Sequence, residues 1–168
     1  FHYFWYIYIY MNNNKDKQTM SVLIPVHNEE LTLEKLFEEL CKVKNKIIDL
    51  EITLIFIDDG STDKSSQILE DLSKNSKFVK IISFARNFGH MASITAGLNS
   101  SKEDYVVMID ADLQDPPSEI EHLYLKALQG YDVVYGKRLV RKGETIFKKL
   151  SAKYFYYFFN YISETKIP

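Results

Sequence analysis

Tyr105-Val106-Val107-Met108-Ile109-Asp110-Ala111-Asp112-Leu113-Gln114-Asp115-Pro116-Pro117 runs from an apolar strand into two carboxylates one residue apart, then into a turn. In extended chain, residues i and i+2 point to the same side, so Asp110 and Asp112 would converge at the end of the strand. Hard carboxylate oxygens in such a place suit Mg²⁺ or Mn²⁺, ions usually shared between a few protein ligands and the phosphates of a substrate. The competing reading is a turn whose aspartates only cap the next helix.

The pattern repeats on both sides of this stretch. Ser21–Val26 predicts a buried strand, and 30–43 predicts a helix with Leu31, Leu33, Leu36, Phe37 and Leu40 facing inward. Ile52–Ile57 is a second strand, followed by the turn Asp58-Asp59-Gly60-Ser61-Thr62-Asp63, which caps a helix over 64–73. A third strand, 79–84, leads through a Gly-containing loop into a helix of small residues over 90–98. After the fourth strand, 105–109, Ser118 caps a helix reaching Leu128, and 132–135 forms a fifth strand. Strands apolar on both faces, alternating with helices, predict an α/β fold with a mainly parallel sheet covered on both sides. Such sheets bind ligands where the carboxyl ends of their strands meet diverging crossovers. The polar clusters all follow strands: Asn28-Glu29, Asp58-Asp59, Arg86-Asn87, Asp110 with Asp112, and Gly136-Lys137-Arg138. Loops are polar wherever they meet water, but this repetition at one sheet edge favours a functional cleft.

Composition narrows the class. With 46% hydrophobic and 26% charged residues in 168, the chain has the make-up of a globular protein large enough for a real core. Its net charge of −2 argues against a protein-wide nucleic-acid surface, so no nucleic-acid partner is expected. The single Cys41 excludes an internal disulfide framework and fits a reducing compartment. His27 and His90 have no partner at metal-ligand spacing, and no stretch reaches the roughly 18 apolar residues of a membrane span. Residues 1–19, aromatic and then Asn-rich, lack the features of a signal peptide and are expected to lie outside the core. The core is placed at 20–140. In 141–168, Ile146, Phe147, Leu150, Tyr154, Phe158 and Tyr161 recur at helical spacing beside Lys142, Lys148, Lys149 and Lys153. That segment reads as a membrane-interface helix, or as a helix packed on the sheet with a solvated basic edge.

Taken together, Ile24-Pro25-Val26-His27-Asn28-Glu29, Asp58-Asp59-Gly60-Ser61-Thr62-Asp63, Arg86-Asn87-Phe88-Gly89-His90, the Asp110–Pro117 turn and Gly136-Lys137-Arg138 resemble family 2 glycosyltransferases of the GT-A fold. Within them the chain looks like the polyprenyl-phosphate sugar transferases, such as dolichol-phosphate mannosyltransferase and bactoprenol glucosyltransferase. The resemblance implies a C-terminally truncated enzyme that lacks an acceptor-side segment and turns over poorly alone. It implies inverting transfer from a UDP- or GDP-linked sugar to dolichyl or undecaprenyl phosphate at the cytoplasmic face of a membrane, with homo-oligomers admitted. Alternatives are a glycan or protein acceptor, or a non-catalytic nucleotide-sugar-binding fragment. A generic nucleotide-binding domain is disfavoured because no Gly-x-Gly-x-x-Gly or Gly-x-x-x-x-Gly-Lys-Ser/Thr loop is present.

The resemblance also assigns roles. Pro25, His27 and Glu29 would line the nucleotide pocket, with His27 stacking on the base or standing as an ordinary strand-end histidine. Ile57 and Asp59 would contact base or ribose, while Asp58 would join them or serve only the turn. Asp110 and Asp112, flanking Ala111, would be catalytic, orienting the sugar nucleotide and its Mg²⁺ or Mn²⁺, with Gln114 as a further metal or outer ligand. Arg138 would face phosphate through a planar, bidentate guanidinium.

Overall fold

The computed structural model describes residues 18–136 and, as backbone only, Ile7–Ile9. Arg138 and the basic aromatic segment 141–168 lie outside the described residues. The strands are β1 (Ile7–Ile9), β2 (Gln18–Val26), β3 (Leu50–Asp58), β4 (Val79–Ser83), β5 (Tyr105–Met108) and β6 (Val133–Val134). The helices are α1 (Leu33–Lys46), α2 (Ser65–Asn75), α3 (His90–Ser100) and α4 (Glu119–Ala127).

One sheet carries the strands in the order β4-β3-β2-β5-β1-β6. β2 pairs in parallel with β3 and β5, and β3 with β4, as expected for strands joined by helical crossovers. Alternation along the strands divides the core. Met20, Val22, Ile24 and Val26 of β2 join Leu54 and Phe56 of β3 and Val107 of β5 on one face. The apolar stripe of α1 (Leu33, Leu36, Leu40, Val43), Leu69 of α2 and Ile120, Leu123 and Ala127 of α4 pack there. Leu23, Ile55, Ile57 and Val106 point the other way, towards α3. A Cβ added at Gly97 of α3 would lie 3.0 Å from Leu23 Cδ1 and 3.2 Å from Ile57 Cδ1, so α3 approaches the sheet closely. Each fully buried leucine contributes about 2 kcal/mol of apolar burial.

The structure departs from three expectations. Residues 1–19 do not stand wholly apart from the sheet: Ile7–Ile9 pairs antiparallel with both β5 and β6, and β2 begins at Gln18. β-branched and aromatic residues are good strand formers, and β5 offers an edge that β2 leaves open. As a result, β6 has β1, and not β5, as its neighbour. Leu31 is 91% exposed, because α1 begins at Leu33 and Leu31 belongs to the preceding turn. Ser118 makes no side-chain cap on α4; the first amides of the helix bond instead to the carbonyls of Pro116 and Pro117.

Candidate functional site

The loops after β2 and β3 are fastened to each other. Asn28 takes a left-handed backbone (φ +58°), and its Oδ1 accepts the N–H groups of Thr62 (2.8 Å) and Asp63 (3.3 Å). Asparagine tolerates that conformation better than most residues. The Glu29 N–H donates to Ser65 Oγ (2.9 Å), and the Glu30 N–H to Asp63 Oδ2 (3.1 Å). Asp63 Oδ1 accepts the Ser65 N–H at 2.9 Å, so Asp63 caps the start of α2, as the sequence suggested. Burial pushes the Asp63 carboxyl up, but its hydrogen bonds from Ser65 and from the Glu30 backbone outweigh this and hold it below the usual carboxylate range.

The turn after β3 in turn shapes the loop after β4. Asp58 is buried, accepts the Ser61 N–H at 2.9 Å and takes a short hydrogen bond from the Ser66 hydroxyl. Asp59 is also buried. Its Oδ1 accepts the Phe88 N–H at 2.7 Å and its Oδ2 the Gly89 N–H at 2.8 Å. Gly60 holds φ at +63°, and a Cβ there would stand 2.4 Å from the carbonyl carbon of Arg86. His27 Nδ1 lies 2.9 Å from the carbonyl oxygen of Asp59 and must donate to it, which leaves Nε2 as an acceptor facing the Asn28 amide at 3.4 Å.

These loops enclose an open cleft of about 560 Å³ at the carboxyl ends of β3 and β4. His27, Asp58, Ser61, Ser66, Glu70 and Arg86 are among its lining residues. Arg86 is exposed, and its guanidinium stands 4.8 Å from the centre of the Phe88 ring. It is the only arginine among residues 18–136, and no carboxylate among the described residues lies within ion-pair distance of it. The sequence reading placed Arg86-Asn87 at a strand end but gave Arg86 no role. An arginine at a strand end, within residues 18–136 that otherwise use lysine, was the available signal.

The acidic turn lies along the same sheet edge. β5 pairing stops at Met108, so Asp110 is beyond the strand and Ala111-Asp112 lie in the turn proper. Strand alternation therefore does not set the geometry of the two carboxylates. Asp112 Oδ1 accepts the N–H of Gln114 at 2.9 Å, and Leu113 between them is held at φ +57°, costly for a leucine. Ala111 is buried, while Asp110 and Asp112 are partly exposed and Gln114 fully so. His90 Nε2, at the start of α3, is 3.9 Å from Asp110 Oδ1, so this turn and the loop that leads into α3 lie side by side. Among the described residues, no three acidic or histidine side chains are grouped closely enough to enclose a metal. Two carboxylates and the Gln114 amide oxygen would thus leave positions for phosphate oxygens and water. That hard, incomplete donor set fits Mg²⁺ or Mn²⁺.

Of the residues singled out from sequence, the structure brings His27 and Asp58 into the cleft wall, while Pro25 and Glu29 are half-buried and not part of its lining. Ile57 is fully buried towards α3 and offers no side-chain surface to a ligand. Sequence could not show this, because it depends on which sheet face α3 covers.

Comparison with known proteins shows the family and the fold. The family model described as glycosyl transferase family 2 matches residues 21–167. The chain is 43% identical to the uncharacterized glycosyltransferase YkcC of Bacillus subtilis (strain 168), over 88% of this chain and 46% of that protein. It is 42% identical to the undecaprenyl-phosphate 4-deoxy-4-formamido-L-arabinose transferase of Proteus mirabilis (strain HI4320), over 80% of this chain and 41% of that protein. The chain thus spans less than half the length of these curated relatives. Among solved structures, the mannosyltransferase PcManGT from Pyrobaculum calidifontis, in complex with GDP-Man and Mn²⁺, shares the fold with a TM-score of 0.56. That match is 18% identical and covers 67% of this chain and 32% of the other. The fold is GT-A, and the chain belongs to glycosyl transferase family 2.

Proposed function

We propose that the protein of which this chain is the nucleotide-binding part transfers a sugar from a UDP- or GDP-linked donor to a polyprenyl phosphate, with inversion at the anomeric carbon. The observation that carries this is the placement of a cleft bearing Arg86 and of the Asp110–Asp112 turn on one sheet edge, with His90 of the intervening helix 3.9 Å from Asp110. The named activity of the Proteus mirabilis relative supports the acceptor class.

The residues divide the work. The His27 ring, fixed by its bonds to Asp59 and Asn28, offers a face for the base, and the Asp58 carboxylate has lone pairs left for a base or ribose donor. Arg86, braced by Phe88, meets negative charge with a planar fork of donors. Asp110 and Asp112, with Gln114 beside them, would hold Mg²⁺ or Mn²⁺ and orient the sugar. A bound divalent ion supplies positive charge where the departing diphosphate gathers electrons. In the transfer, an acceptor phosphate oxygen forms a bond to the anomeric carbon while the bond from that carbon to the diphosphate breaks, its electron pair leaving with the nucleotide. The acceptor oxygen is already anionic near neutral pH, so no side chain must remove a proton; alignment and relief of phosphate–phosphate repulsion dominate.

No helix among the described residues is long and apolar enough to cross a membrane. The basic, aromatic sequence of 141–168 supports contact with the cytoplasmic face of a membrane. Calorimetry with UDP- and GDP-sugars, with and without Mn²⁺, tests the donor half. Metal-dependent binding should fall at least tenfold or so in Asp110→Ala/Asp112→Ala. Unchanged metal-dependent affinity in that variant would remove the enzymatic reading.

A further inference from the structure

We infer that Asp59 is a positioning residue, which sets Arg86 at the cleft without touching the nucleotide itself. The inference rests on the nucleotide reading of the cleft and assigns Asp59 a different part in it from the base or ribose contact expected from sequence. Each Asp59 carboxylate oxygen accepts one backbone N–H, that of Phe88 at 2.7 Å and that of Gly89 at 2.8 Å, and the residue is 4% exposed. Asp59 is not among the residues lining the cleft, although Asp58 and Gly60 on either side are.

What Asp59 holds is the segment that presents the cleft's arginine. Phe88 supplies the ring over which the Arg86 guanidinium stands, and Phe84 meets that ring edge-on at 5.6 Å. Gly60 admits the Arg86 backbone because it has no Cβ. Two consecutive amides bound by one carboxylate fix both position and rotation of the loop, and charge-assisted bonds of this kind are stronger than neutral ones. An asparagine at 59 has one acceptor oxygen and an NH₂ group, so one of the two amides would lose its partner.

The test is a double-mutant cycle on the 168-residue chain, titrated with UDP and with GDP in the presence of Mn²⁺. Asp59→Asn should weaken both diphosphates about tenfold and by the same factor. In an Arg86→Met background the same substitution should add less than about twofold, because Asp59 acts through that arginine. Additive losses, or a change in the UDP-to-GDP ratio, would overturn the inference in favour of direct contact with the nucleotide. Amide exchange on the ligand-free protein decides independently: Asp59→Asn should speed exchange at Phe88 and Gly89 and leave α1 unchanged. Unaltered protection there would also overturn it. Asp59→Glu, which keeps the charge but displaces the oxygens, should behave like the asparagine variant and serves if the latter does not fold. Should the wild-type chain bind neither diphosphate, the nucleotide reading fails, and the exchange experiment still decides what Asp59 holds.

Discussion

Gly60 combines two constraints that a side chain would break at once. Its φ of +63° is a region L-residues enter at a cost of about 1–2 kcal/mol, and its missing Cβ leaves room for the Arg86 and Asn87 backbone. The nearest atoms are backbone, 2.4 to 2.7 Å from the would-be methyl, and cannot swing aside as a side-chain tip can. Gly60→Ala is therefore expected to cost about 2–4 kcal/mol in equilibrium urea unfolding, from strain plus overpacking. A change within about 0.5 kcal/mol would show that the loop moves freely and that Arg86 is not held from below. The sequence disclosed part of this. Asp58-Asp59-Gly60 reads as a tight turn from residue types alone, and the glycine's conformation follows from it. That the turn grips a loop some 25 residues downstream does not follow, because no periodicity records which backbones touch. The same limit hid the burial of Ile57 and the left-handed Leu113.

At the scale of elements, α2 begins where two loops lock together, and Asp63 joins them by accepting from both Ser65 and Glu30. Its carboxyl is held below the usual range, so the folded state binds that proton less readily than the unfolded chain does. The stabilisation is then fully present above the unfolded value, about 3.9, and is lost as pH falls through the lower folded value. Denaturation midpoints measured between about pH 6 and pH 2.5 should fall less steeply in Asp63→Asn than in the wild type. Parallel curves for the two proteins would mean that the Asp63 bonds do not contribute. The capping role of Asp63 was legible because an aspartate before a helix-period run carries its own chemistry. Its bond to Glu30 was not, since the β2–β3 pairing that brings the two loops side by side is a tertiary fact. Helix and strand identities were otherwise recovered from apolar spacing, with most boundaries displaced by one to three residues where hydrogen bonding outlasts hydrophobicity, as at the start of β2 and at both ends of β3.

For the molecule as a whole, the least anticipated feature is the strand that enters the sheet from far outside the alternating pattern. β1 lies between β5 and β6, antiparallel to each, and among the described residues is the only strand with which β6 pairs. Its aromatic, β-branched sequence showed strand propensity, but nothing local revealed a destination beyond the acidic strand. Two consequences follow from removing residues 1–9. β5, which carries Asp110 and Asp112 just past its end, would present an open row of N–H and C=O groups, and such edges recruit other chains. β6, two residues long, would keep no strand partner among the described residues, and Tyr135 and Gly136 lead from it into Lys137 and Arg138. The shortened chain should show loss of amide protection at Val133 and Val134 and, by light scattering, more concentration-dependent self-association than the full chain. α1 and the β2–β3 pair, whose contacts lie on the far side of β5, should keep their protection. If Val133 and Val134 stay protected and the shortened chain self-associates no more than the full chain, β1 does not close this edge, and β5 must be covered by another part of the protein.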